Sequence, residues 1–360
     1  MNLLTQYTNL NFDQLRLKQD NLADQAVEVL VLHPKLASEI NSWLVIPARV
    51  PEYFPEELRL YFDFYLHKEK EFSEGEHLLA QEFFERRGDM YLAILGFYSL
   101  PYCYAFAAGA QVLVRSQRIL DQIGERLGET TRFVLDIFKP GAFTSQDEAF
   151  LTCAKVRLIH AYSRYFIRKY ARDWSPEFGE PINQEDLLGT NLAFSHLVLR
   201  GMTKLGMSPS SKEHQAVLRY WKWIGGLMGI EPSLWPSTAK EAFELDRLIR
   251  KRHLKPSEAG KKLTKALLEF YQKNIPDSFL TSQLEALLSY FLGKEASKAV
   301  GISGNIQIPG DFLGLFLRLS GLKTFGAVKS HESLRKNLER QQIQQFGCVL
   351  QLKLPEFNRS

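Results

Sequence analysis

Cysteine is scarce in this chain. Cys103, Cys153 and Cys348 are the only three in 360 residues, far apart and never as C-x-x-C. That spacing excludes a disulfide framework, a zinc ribbon and a redox dithiol, and it suits a reducing compartment. Long apolar runs are missing too: no stretch reaches the ~18 uncharged apolar residues of a membrane span. The opening MNLLTQYTNLNFDQLRLKQD lacks a basic segment leading into an apolar one, so it does not read as a signal peptide. The expectation is a cytoplasmic protein. Charge of one sign is lacking as well, with 45 Lys and Arg against 41 Asp and Glu, net +4. That balance gives no reason to expect a nucleic-acid partner.

Several catalytic signatures are absent. There is no H-E-x-x-H, no phosphate-binding G-x-x-x-x-G-K-[ST] and no strand-borne G-x-G-x-x-G. Gly301-Ile302-Ser303-Gly304-Asn305 fails as a nucleophile elbow because Asn305 takes the second glycine place. No aspartate-rich DDxxD-type segment supports magnesium-dependent terpenoid chemistry. A lone E-x-x-H, Glu74 to His77, lies in a charged stretch that reads as a loop, whereas a di-iron bundle needs two such motifs on paired helices. No two of the eight histidines stand three or four apart, so a multi-histidine metal site would need distant segments.

What is present is helical. Hydrophobic residues make up 45% and aromatics 12% of the chain, ordinary values for a globular protein large enough to fold without staples. Ser145-x-x-Glu148, Ser210-x-x-Glu213 and Ser282-x-x-Glu285 fit capping boxes, and Asn183 before Glu185 and Asp186 is a further helix start. Two-residue alternation occurs only around Val349 to Leu354 and Ile306 to Ile308, the places where strand is expected. No repeat of 20–50 residues is found. The reading is an all-α protein of about a dozen helices forming a single large domain: a helical lead-in over residues 1–75, a main body over 76–300, and C-terminal helices with an extended tail over 301–360.

The longest helix is expected from about Gln146 to Arg172. Phe150, Cys153, Arg157, His160, Arg164 and Ile167 share one of its faces, and Leu151, Ala154, Leu158, Ala161, Tyr162 and Tyr165 make the rest apolar. A helix apolar nearly all round is buried. His160 therefore sits in an interior with an arginine one turn to either side. Such a histidine is either a satisfied core residue or a metal ligand, and haem iron needs only one protein ligand on its proximal side. A second segment, Ile119 to Val134, stacks Arg126 and Thr130 on one helical face with Glu129 beside them. Beside the apolar Phe133-Val134-Leu135, a buried Arg126 requires an anionic partner: Glu129, Glu125 or a cofactor carboxylate. The basic stretch 247–265 holds Arg247, Arg250, Lys251, Arg252, Lys255, Lys261, Lys262 and Lys265 against one Glu, as a solvated face or as a patch for phosphate or an anionic membrane.

The ordered segments Gly-Phe-Tyr-Ser-Leu-Pro (96–101), Gly-Ala-Gln-Val-Leu (109–113), Arg126-x-x-Glu129-Thr130, Val156-Arg157-Leu158-Ile159-His160, Pro181 to Asp186, Phe194-Ser195, Tyr220-Trp221-x-Trp223-Ile224-Gly225 and Gly229-Ile230 carry a likeness. Over roughly residues 75–245 the chain resembles the MpaB-like oxygenase family, which includes the rubber oxygenases (latex-clearing proteins). The resemblance implies an all-helical fold with a globin-like core and haem b, with His160 as proximal iron ligand. It places Arg126, Glu129 and Thr130 on or near the distal side. Glu129 stands where rubber oxygenases carry a lysine, and Gly109-Ala110-Gln111 where they carry an acidic residue, so polyisoprene cleavage is not implied.

On that likeness, Arg126 and Thr130 would stabilise charge building on oxygen, Glu129 would shuttle a proton, and Arg157 and Arg164 would pair haem propionates. Phe97, Tyr98, Tyr102, Tyr104 and Phe106 would line an apolar pocket or simply pack the core. The leading expectation is a haem-dependent oxygenase using dioxygen on an apolar, isoprenoid or alkenyl, substrate. It would be a monomer or homodimer, in at most peripheral contact with membrane. The alternatives are a non-catalytic haem or gas-binding protein of the same fold and a haem-free helical module binding lipid or a protein partner.

Overall fold

The computed structural model describes residues 3–115, 122–144, 147–275, 277–302, 312–319 and 330–356. Among them every regular element is helical, so the all-α expectation holds. In chain order these are α1 (Asn9–Arg16), α2 (Asn21–Leu32), α3 (Pro34–Ser42), α4 (Glu56–Glu71), α5 (Glu74–Ile94), α6 (Leu100–Tyr104), α7 (Ala107–Arg115), α8 (Ile123–Ile137) and α9 (Glu148–Tyr170). There follow α10 (Gln184–Phe194), α11 (His196–Lys204), α12 (Ser211–Leu227), α13 (Ala239–His253), α14 (Glu258–Asn274), α15 (Ser278–Ser282), α16 (Leu284–Ala299), α17 (Phe312–Leu319) and α18 (His331–Phe346).

The start signals are kept unevenly. Ser210 and Glu213 form the reciprocal capping box, and Asn183 caps α10 by accepting from the Asp186 amide. Helix α9 begins on Asp147, whose carboxylate accepts from the Ala149 amide, while Ser145 lies outside the described residues. Ser282 does not open a helix: it ends α15, and its hydroxyl donates to the Phe279 carbonyl. Glu74 to His77 is the first turn of α5 rather than a loop, and His77 is buried against Phe72 at 5.2 Å. Val349 to Leu354 pairs with no strand; it runs as a strap held by side chains, with Asn41 bonding Leu354 through both its backbone groups. Ile306 to Ile308 lies outside the described residues.

Between α5 and α6 the helix widens into a π-turn over Leu95–Ser99. Pro101 has no amide to donate and its ring crowds the carbonyl four residues back, so a regular helix cannot continue there. The segment nevertheless stays in the core, with Tyr98 stacked on Phe291 at 5.3 Å.

Helix α9 is the axis of the body. It packs against α2, α4, α8 and α12, and Ala149, Cys153, Ala154, Leu158, Ala161 and Tyr162 are all buried on it. The lead-in helices join the same core: Phe12, Val27, Leu30, Tyr61, Phe62 and Tyr65 are each at most 1% exposed. At about 2 kcal/mol per fully buried large apolar side chain, these alone make the lead-in part of the cooperative fold.

The basic stretch is neutralised locally. Arg247 pairs Glu244 (2.7 Å), Arg250 pairs Glu295 (3.2 Å), and Arg252 pairs Glu185 (2.7 Å) and Asp13 (2.8 Å). Lys255, Lys261 and Lys265 meet Glu177, Glu258 and Glu269. Most of the stretch is thus paired within the protein.

Helices α8, α9 and α18 meet at Asp136, which is 2% exposed. It accepts from Thr152 at 3.0 Å and lies 3.4 Å from Arg335. Burial outweighs Arg132 and Arg335 and raises its carboxyl to about 6. Such a carboxyl holds its proton more tightly folded than unfolded. Its contribution to stability is therefore complete below about pH 4 and lost as pH rises through 6, an effect of about 3 kcal/mol. Asp136→Asn should flatten that part of the stability profile, and urea unfolding between pH 4 and 7.5 measures it; a variant that keeps the wild-type slope would remove Asp136 as its source.

Candidate functional site

Two carboxylates of α2 hold two arginines of α9. Asp20 takes Arg157 in a two-pronged bond, Nε to Oδ2 at 2.6 Å and an Nη to Oδ1 at 2.8 Å. Asp24, one turn on, takes Arg164 Nε at 2.6 Å and shares Arg168 at 3.3 Å. Arg157 and Arg164 are 6% and 1% exposed at the side chain, and a guanidinium that dry demands such partners. The carboxylates that the sequence reading sought from a cofactor are thus supplied, in part, by the lead-in. Nη1 of Arg157 and both terminal nitrogens of Arg164 remain buried without a hydrogen-bond partner.

Asp20 also caps α2, accepting from the Ala23 amide at 3.3 Å. The chain behind it closes tightly. Gly229 has φ +81°, and a Cβ there would strike Asp20 Oδ2 and come within 2.8 Å of Arg157 Nε. Gln184 ties the same corner, donating to the Gly229 carbonyl and accepting from the Glu231 amide at 2.9 Å each.

His160 lies on the α9 face between the two arginines. Burial first, then the charges of Arg164 and Arg126, lowers its pKa to about 3, so the ring is neutral at physiological pH. Its Nδ1 is buried with no hydrogen-bond partner, and no side-chain hydrogen bond to His160 occurs among the described residues. The satisfied-core-histidine alternative therefore lacks its partner. A ligand imidazole ordinarily donates from its second nitrogen to a carbonyl or carboxylate, and that bond is lacking here as well.

Helix α8 brings the second predicted group alongside. Arg126 acts electrostatically on His160 and, on its other side, on Tyr104. Glu129 is 8% exposed and 3.5 Å from Arg126, so the anionic partner of Arg126 is the one three residues on. Thr130 donates its hydroxyl proton to the Arg126 carbonyl at 2.8 Å, which leaves its oxygen only as an acceptor. Sequence reasoning thus found Arg126, Glu129, Thr130, Arg157, His160 and Arg164, and the structure sets them on two adjoining helices.

It missed the rest of the wall. Cys103 and Tyr104 of α6 and Tyr271 of α14 adjoin Arg126 through Tyr104. Burial raises the Cys103 thiol to about 12 and lifts Tyr271 further still. Yet Cys103, Tyr271 and His160 all keep some accessible surface. On α7, which packs on α9 and α14, a Cβ added at Gly109 would meet no atom within 4 Å. Of the predicted aromatics, Phe97 lies on Tyr271 with ring centroids 4.7 Å apart, while Tyr102 donates to Asp246 and meets Phe106 at 5.0 Å. Asp20 and Asp24 carried a signal as an N-cap and first-turn acid, but nothing in the sequence said which arginines they meet.

Asp20→Ala leaves Arg157 buried and uncompensated, and Gly229→Ala forces a methyl into the same pair. Each should destabilise by about 3 kcal/mol, with the double variant well short of the sum because both break one contact. Chemical denaturation of the four proteins measures this, and full additivity would show that the two act separately.

Comparison with known proteins adds the family. Residues 93–311 match the model for the ER-bound oxygenase mpaB/B′ and rubber oxygenase catalytic domain. A rubber oxygenase from Streptomyces sp. (strain K30) is 26% identical over 183 residues, 50% of this chain and 44% of that protein. The chain thus aligns with less than half the length of this curated relative. Among solved structures, latex clearing protein LCP in the closed state superposes with a TM-score of 0.69 at 20% identity over 90% of each chain, a likeness of fold. Since the family model spans more than half of its residues and the helical architecture agrees, this chain belongs to the MpaB/rubber oxygenase catalytic-domain family.

Proposed function

We propose that the protein is a haem b-dependent oxygenase that uses dioxygen on an apolar, isoprenoid or alkenyl, substrate, with His160 as the iron ligand. One observation carries the reading: a neutral imidazole whose Nδ1 is buried without a partner, flanked by guanidinium nitrogens likewise buried without partners. The residues present fit the group. A neutral ring is the form that ligates metal, and the spare N–H groups of Arg164 and Arg157 suit a dicarboxylate such as a pair of propionates.

Bound haem supplies an iron able to activate dioxygen. The chain's own residues do the rest. Arg126, ion-paired with Glu129, would offer a cation to negative charge developing on oxygen. Glu129, held by Arg126, takes or returns a proton at its carboxylate. Thr130, its proton committed to the helix carbonyl, orients a donor rather than acting as one. Phe97, Tyr104 and Tyr271 exclude water and give an apolar substrate its wall. Glu129 in place of the rubber enzymes' lysine, and Gln111 near their acidic position, argue for a substrate other than polyisoprene. The three free thiols suit a reducing compartment such as the cytoplasm.

Haemin added to the purified chain should give a Soret band, and His160→Ala should weaken haem retention at least tenfold while the far-ultraviolet circular dichroism melt stays near wild type. A variant that holds haem normally overturns the ligand assignment. A wild-type chain with no Soret band removes the haem-binding alternative too and leaves the haem-free module. Given a band, conversion of an alkene to a carbonyl product with dioxygen uptake separates the oxygenase from a gas-binding protein.

A further inference from the structure

Two histidines eighteen positions apart in sequence come together at the starts of α11 and α12. Nδ1 of His196 and Nε2 of His214 lie 3.4 Å apart, with ring centroids at 5.5 Å. A ring N–H bonds best at about 2.7–3.2 Å, so the two nitrogens stand too wide for a good hydrogen bond. Hydrogen bonding does not account for the burial of His196 either. The residue is 5% exposed, and its Nε2 is buried without a partner. Two imidazole nitrogens bound about 2.0–2.1 Å from a tetrahedral zinc ion, with an angle of about 109° between them, lie about 3.3–3.4 Å apart. The observed separation is that of a ligand pair.

The backbone holds both rings in place. Phe194-Ser195 forms the corner between α10 and α11, where Ser195 leaves the helix with φ −112° and ψ −83°. Its hydroxyl donates to the Asn191 carbonyl at 2.8 Å, and Tyr91, itself bonded by Trp221 Nε1 at 2.8 Å, donates to the Phe194 carbonyl. His196 follows that corner directly. His214 follows the Ser210–Glu213 capping box and is only half-buried, which leaves an ion a way in from its side. Burial first lowers the pKa of both rings, so both are in the neutral form that ligates metal. The nearby arginines have carboxylate partners: Arg200 lies 3.5 Å from Asp246, and Arg86 lies 2.8 Å from Glu213.

We propose that His196 and His214 form a binding site for a transition-metal dication of the zinc type, tying the start of α11 to α12. Among the described residues no group of three His, Cys, Asp or Glu side chains is placed to hold a metal, so the protein gives this ion two nitrogens and water completes its shell. The ligand chemistry selects the ion. Magnesium and calcium need oxygen ligands, and the positive ends of two helices oppose a cation held by charge alone, whereas imidazole suits zinc and its neighbours. The inference is independent of haem and of the reaction proposed above.

Equilibrium dialysis of the full chain against zinc chloride, with magnesium chloride in parallel, tests it. Saturable binding of zinc and none of magnesium is expected, weakened at least tenfold in His196→Asn and in His214→Asn. Zinc should also raise the melting temperature of the wild-type chain and leave that of His214→Asn unmoved, because an ion bound only to the folded state stabilises it. His214 is half-buried at the surface, so this variant decides the matter even where His196→Asn fails to fold. Cys348→Ser and His160→Ala should bind zinc as the wild type does. The proposal is overturned if the wild-type chain shows no saturable zinc binding, or if His214→Asn binds as tightly as the wild type. Loss of the ion in Cys348→Ser or His160→Ala overturns it as well, placing the zinc at the exposed thiol or at the candidate iron ligand.

Discussion

The pairing of Asp20 and Asp24 with Arg157 and Arg164 is the constraint from which the candidate site follows. Two guanidinium groups lie seven residues apart on α9, and two carboxylates lie four apart on α2. Desolvating a guanidinium costs several kcal/mol, so α9 cannot rotate or slide against α2 without stranding a charge. His160 stands between those two anchors. Its direction is therefore fixed by the residues that anchor the helix, and on the proposed reading a ring that ligates a flat cofactor needs that fixity. One turn at the start of α2 thus aims the side chain on which the proposed chemistry depends.

The same anchors set the electrostatics. Arg164 meets Asp24 through Nε while its two terminal nitrogens have no hydrogen-bond partner, and Arg126 on α8 is paired with Glu129. A partly exposed histidine near balanced charges would titrate near neutrality. This one, desolvated and facing unspent positive charge, cannot hold a second proton. The physical result is a neutral ring across the whole physiological range beside guanidinium groups, which on the proposed reading suits a metal ligand next to an anionic cofactor edge.

Much of this was legible in sequence because it is local. Helical periodicity put Arg157, His160 and Arg164 on one face, and the mid-helix position among apolar residues placed them inside. Ser210 with Glu213, and Asn183 with its acidic first turn, marked helix starts through bonds spanning three residues. What was not legible is long-range or competitive. Asp20 lies 137 positions from Arg157, and no period connects them. Ser282 has the right residue three places on, but its hydroxyl prefers the carbonyl behind it. The alternation of Val349 to Leu354 is real, yet a strand needs a partner edge, and an all-helical body offers only side chains such as Asn41. Cys103 and Tyr104 on α6 and Tyr271 on α14 come together only through helix packing, which no sequence period records.

The segments that carried the family likeness divide by what they do. Arg126 to Thr130 and Val156 to His160 supply residues of the candidate site itself. Pro181 to Asp186 and Gly229-Ile230 supply none. Gln184 bonds the backbone on both sides of Gly229, and Glu185, fully buried, gathers Arg16, Arg252 and His253 from α1 and α13. Gly229 is glycine because its φ of +81° and the Asp20 carboxylate leave no room for a side chain. These residues seat the lead-in on the body, and through it Asp20 and Asp24 on the arginines. A motif far from the chemistry and a glycine in a tight corner are thus parts of the site at one remove. On the proposed reading, Glu129 in the place of the relatives' lysine would alter the site while leaving that seat intact, as sites vary on a shared scaffold.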